Sequence, residues 1–94
     1  MKIQHKPLNR NNQIMLGFVS KIHETIELLN DMGLSVINLD LKTKSPVIRV
    51  DRNHITDQLE AEHKAFTYIR KGREYHEVQM QLNGCVIVWR KYLV

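Results

Sequence analysis

Apolar residues follow two different periods along this chain, and the change between them sets out its architecture. Over residues 13–32, Met15, Phe18, Ile22, Ile26 and Leu29 recur at steps of three and four, with Ile14, Val19 and Met32 widening the stripe. Lys21, Glu24, Glu27 and Asn30 fall on the opposite side. That spacing predicts an amphipathic helix. Asn11 or Asn12 is placed to cap its start, and Gly33 to end it in the left-handed conformation, with Leu34 folding back on the last turn. Gly17 costs about 1 kcal/mol against alanine inside a helix, and it points to a close approach to the sheet.

Beyond Gly33 the period becomes two. Ile37, Leu39 and Leu41 alternate with Asn38 and Asp40, which predicts a strand. A polar turn over residues 42–46 contains Pro46, which cannot donate to a ladder, and residues 47–50 read as a second strand paired back on the first. Residues 51–63 form a long connection in which one or two helical turns are expected, with Ile55 and Leu59 as the available anchors.

The final third carries the strongest β pattern. Asn83-Gly84 between two alternating runs is a hairpin signature for a type I′ turn. That turn fixes the register: Leu82 opposite Cys85, Met80 opposite Ile87 and Val78 opposite Trp89 on one face, with Gln81 against Val86, Gln79 against Val88 and Glu77 against Arg90 on the other. A preceding hairpin through a Gly72-Arg73 turn would place Lys71 against Glu74, Ile69 against His76 and Thr67 against Val78. The expected fold is therefore α+β, one long N-terminal amphipathic helix packed on a mostly antiparallel sheet of about five strands, arranged as a hairpin, a crossover and a three-strand meander.

Composition narrows the class. Ninety-four residues suit a single domain over 1–94, with residues 1–11 as a flexible basic arm carrying Lys2, His5, Lys6 and Arg10. The 43% hydrophobic and 26% charged content is ordinary globular usage and argues against disorder. One cysteine excludes an internal disulfide, so a cytoplasmic setting is expected. No apolar core follows the basic start as a secretory signal would need, and the longest apolar run, residues 85–89, is far short of the roughly 20 residues that span a bilayer. The net charge of +4 permits contact with nucleic acid or an acidic protein, but fourteen Lys and Arg are interspersed with ten Asp and Glu and form no run of five.

No spacing points to catalysis. The histidines form neither H-x-x-x-H nor H-E-x-x-H, and Cys85 has no cysteine partner for zinc. Cys85 opens an apolar strand after a tight turn, the position of a buried thiol rather than a nucleophile. The glycines form no phosphate loop, and Lys71-Gly72-Arg73 departs at once from the aromatic signature of RNA-recognition sheets. No metal or cofactor is expected, and no enzyme.

What remains is a surface. If the face with Trp89, Val78, Met80 and Ile87 meets the helix, the reverse face carries Phe66, Tyr68, Arg70, Tyr75, Glu77, Gln79, Gln81, Arg90 and Tyr92. Aromatic rings interleaved with Arg and Gln suit recognition, by stacking on bases or by anchoring a protein. Solvated cover for a sheet and a homodimer seam fit the same residues. Phe66, Tyr68, Arg70, Tyr75, Gln79, Arg90 and Tyr92 are the candidate partner-binding residues.

The order of a helix ending at Gly33, an S-V-I-N-L-D-L strand, an S-P-V-I-R-V strand and N-G-C-V-I-V-W near the end resembles small accessory proteins of tailed phages and enterobacterial prophages. The likeness spans about residues 14–90 and rests on short motifs. It implies a non-enzymatic early protein of the bacterial cytoplasm that binds and modulates a host protein, for example by blocking a nuclease or defence factor, and it implies no catalytic residues. The alternative function is a basic module for single-stranded nucleic acid.

Overall fold

The computed structural model describes residues 3–42 and 44–93; Lys2 of the expected arm and Thr43 of the polar turn lie outside them. Helix α1 spans Arg10–Met32, and strands β1 (Val36–Asp40) and β2 (Val47–Val50) form a hairpin. A short helix α2 (His54–Ala61) leads to β3 (Phe66–Lys71), β4 (Tyr75–Leu82) and β5 (Cys85–Tyr92). The five strands make one sheet in the order β1-β2-β5-β4-β3, antiparallel except where β2 runs parallel to β5. The architecture is the expected α+β fold.

Local chemistry explains the element ends. The cap of helix α1 lies two or three residues earlier than expected: Asn9 accepts from the Asn12 amide through Oδ1 at 2.8 Å, so Arg10 and Asn11 belong to the helix and not to an arm. Gly33 ends it with φ 89°, its amide donating to Asn30 and that of Leu34 to Leu29 at 2.9 Å. Helix α2 is held by a capping box, in which Asn53 Oδ1 accepts from the Thr56 amide and Thr56 Oγ1 accepts from the Asn53 amide.

The core lies between one face of the sheet and the two helices. Trp89, Ile87, Val78, Ile48, Val50 and Leu29 are fully enclosed, with Ile22, Leu34, Leu59, Met80 and Cys85 around them. Trp89 thus lies on the helix-bearing face, as the pleat requires. Asn83 and Gly84 both take positive φ, 53° and 76°, and every β4–β5 pair follows the expected register. Asn83 Nδ2 donates to Thr25 Oγ1 at 3.2 Å and ties this turn to the helix.

Other expectations are corrected. The β3–β4 connection has three residues, closed by the Glu74 amide on the Lys71 carbonyl at 3.0 Å, so Lys71 faces Tyr75 rather than Glu74 and Ile69 faces Glu77 rather than His76. A bulge between Thr67 and Ile69 absorbs the extra residue and restores Thr67 opposite Val78. In α1, only Ile22, Thr25 and Leu29 are buried, while Ile14, Met15 and Val19 are exposed, because the sheet ends where the Asn83-Gly84 turn meets Lys21 and Thr25. Gly17 consequently approaches nothing: no atom lies within 4 Å of where its Cβ would be. In β1, Ile37 and Leu39 lie exposed on the sheet edge, with Leu41 beyond it.

Candidate functional site

The reverse face of the sheet has no covering layer among the described residues, and one carboxylate organises it. The β4–β5 ladder sets Glu77 opposite Arg90, and Arg90 Nε donates to Glu77 Oε1 at 3.0 Å. The parallel seam brings Arg49 of β2 level with Val88 of β5, from where Arg49 Nη2 donates to the same oxygen at 2.9 Å. From the other side, the bulge in β3 lets Tyr68 donate its hydroxyl to Glu77 Oε2 at 2.8 Å. Glu77 is 6% exposed, so a buried charge is satisfied by three donors.

These contacts set the protonation states. Burial alone would raise the Glu77 carboxyl, but the hydrogen bonds from Arg90, Tyr68 and Arg49 outweigh it and hold it below the usual glutamate value. Burial, and then the bond to Glu77, push the Tyr68 hydroxyl up to about 12. The bond to Glu77 raises Arg90 further above its already high value. Every shift carries its group away from neutral pH, so the cluster holds a fixed charge pattern rather than passing protons.

Arg90 extends the network outward. Its guanidinium carbon lies 4.3 Å from the Tyr75 ring centroid, and the Tyr75 and Tyr92 rings stand 5.8 Å apart at 59°. Tyr92 and Phe66 are the most open rings of this face, at 60% and 62% exposure, with Tyr68 at 41%. Beside Arg90, an open groove of about 540 Å³ is lined by Ile37, Arg49, Val50, Asp51, Arg52, Arg90 and Tyr92. Its Arg52 is paired with Asp57 at 2.9 Å.

Six of the seven candidate residues therefore share one face: Phe66, Tyr68, Tyr75, Gln79, Arg90 and Tyr92. Arg70 does not. The bulge aligns it with His76, on the helix-bearing side, and puts Ile69 and Lys71 in its place. Arg49 is the residue the sequence reasoning missed; its only signal was alternation with Ile48 and Val50, and its partner strand is distant in the chain.

Elsewhere, Cys85 is buried with its Sγ 3.4 Å from Thr25 Oγ1. Among the described residues no three His, Cys, Asp or Glu side chains group closely enough to hold a metal ion, and no helix is long and apolar enough to cross a membrane. No protein-family model, curated protein or solved structure matches the chain.

Proposed function

We propose that this chain is a non-enzymatic binding protein that docks on a partner protein through the open face of its sheet. The observation that carries the reading is the cluster around Glu77. Three donors on one buried carboxylate fix Arg49, Arg90 and Tyr68, while Phe66 and Tyr92 stand exposed beside them. Rings and guanidiniums already held in place have little side-chain entropy left to lose on association, which is the character of interface anchors.

The charge balance favours a protein over a nucleic acid. Arg49 and Arg90 share Glu77, Arg52 is paired with Asp57, and Asp51 lines the same groove. Guanidiniums offset in this way leave little net positive charge for a phosphate backbone. The likeness to phage and prophage accessory proteins supports a host protein as the partner, such as a nuclease or defence factor of the bacterial cytoplasm.

Affinity capture from bacterial lysate tests the reading. The Phe66→Ala/Tyr92→Ala variant, with unchanged circular dichroism, is expected to lose a partner that the parent retains; identical partner sets overturn it. Fluorescence anisotropy with short single-stranded DNA and RNA at 50 mM salt is expected to show no binding. Binding that weakens by roughly 0.7 log units per phosphate contact for each decade of salt would transfer the face to nucleic acid.

A further inference from the structure

The groove of about 540 Å³ beside Arg90 holds three arginines whose charges are matched unequally. Arg52 has a carboxylate to itself: its Nε and Nη2 both donate to Asp57, at 2.9 and 3.3 Å. Arg49 and Arg90 share one, and both donate to the same Oε1 of Glu77. Two guanidiniums against one carboxylate leave that cluster one positive charge in excess. Arg49 Nη1 is enclosed and has no acceptor among the described residues. The groove's own carboxylate, Asp51, makes no ion pair among the described residues.

Arg90 is the member of the pair that a partner can reach. Its side chain is 42% exposed, against 29% for Arg49. Its bond to Glu77 runs through Nε, and its guanidinium carbon rests 4.3 Å from the Tyr75 ring centroid. Both contacts hold the guanidinium and leave its terminal nitrogens, with the Tyr92 hydroxyl near them, to an acceptor from outside. A fixed guanidinium is a planar fork that matches a carboxylate and has little rotamer freedom left to lose. Ile37 and Val50 add apolar lining for the stem of an incoming side chain. One excess charge suits one carboxylate, since a string of anionic groups would bring further negative charge against Asp51.

We propose that this groove receives a single Asp or Glu side chain of the partner protein, its carboxylate held by the terminal nitrogens of Arg90 and the Tyr92 hydroxyl. The assignment rests on the docking face proposed above and names the chemistry that the face recognises. The groove is open, which suits a side chain presented from a continuing main chain rather than an enclosed chain end.

N-acetylglutamate N-methylamide and N-acetylglutamine N-methylamide are matched probes that differ only at the end of the side chain. Two-dimensional proton–nitrogen NMR of the arginine Nε–H groups reads their binding to the full chain at low salt. The glutamate probe is expected to shift Arg90 saturably, with a dissociation constant on the order of 1–10 mM for a ligand of this size, and the glutamine probe to bind at least tenfold more weakly. Asp51→Asn changes an exposed side chain that makes no ion pair, so it keeps its circular dichroism. It is expected to tighten the glutamate probe about twofold to threefold, whereas Arg90→Gln loses it. Equal shifts from both probes, shifts spread over all the arginines, or an Asp51→Asn variant that binds no more tightly overturns the assignment. N-acetylalanine, whose only carboxylate is a chain end, is expected to bind more weakly than the glutamate probe; tighter binding overturns the choice of a side chain. The docking face survives any of these failures if Phe66→Ala/Tyr92→Ala still loses its partner. It falls with the groove if that variant retains every partner and the glutamate probe does not bind.

Discussion

Neighbouring residues of β4 and β5 serve two faces that are ordered by different forces. On the inner face, Val78, Met80, Ile87 and Trp89 are held by the volume they fill beneath α1. On the outer face, Glu77, Arg90, Tyr68 and Arg49 are held by directed bonds to one carboxylate. Inner order depends on excluding water and is indifferent to pH; outer order depends on charge and should fail when a proton is added or removed. A sheet with only one covered side can therefore have two organised sides.

The largest expected effect is on the inner face. Trp89→Ala removes a fully buried ring and should cost about 3–5 kcal/mol, with a fall in melting temperature on the order of 15 °C or more. The loss should be the same at pH 5 and pH 8 by calorimetry, and a strongly pH-dependent loss would blur the contrast between the faces.

Glu77→Gln should cost less, about 1–2 kcal/mol at pH 7, because both guanidiniums it leaves without a counter-charge are partly exposed. Its pH dependence has a definite sign. The folded pKa of Glu77 lies below the unfolded one, so its contribution is complete above the ordinary glutamate value and fades as pH falls through the folded value. Urea midpoints of parent and variant should be apart at pH 7 and converge as the pH falls below the ordinary glutamate value; a gap that stays constant refutes the hub.

Smallest is Tyr68→Phe, at about 1 kcal/mol given the partial exposure of the ring. Here the folded pKa is raised, so the contribution is present below about pH 10 and is lost as pH rises toward 12. Ultraviolet titration of the parent should show a tyrosine step near pH 12 that vanishes in the variant.

What the sequence made legible follows the range of the interactions. The β4–β5 register was readable because Asn83 and Gly84 dictate the turn and the alternating runs beside it agree at each pair. The end of α1 was readable from Gly33. Its start was not, since Asn9, Asn11 and Asn12 all carry capping chemistry and the choice depends on how the chain enters the helix. The stripe identified the inward face of α1, but the length of sheet available to cover it is set by strands far along the chain. The Glu77–Arg90 pair was visible from local register. Arg49 and the reversal of Arg70 were not: the first depends on β2 joining β5, the second on a bulge that compensates a longer turn.

The parallel seam between β2 and β5 has a consequence for assembly order. The β1–β2 hairpin and the β3–β4–β5 meander each close by short turns, whereas the seam joins strands separated by α2 and two other strands, over only three register pairs. Closing so long a loop makes the seam the contact expected to form last, after both hairpin turns have closed. Arg49 reaches Glu77 only across that join, so the buried carboxylate latches the hairpin to the meander.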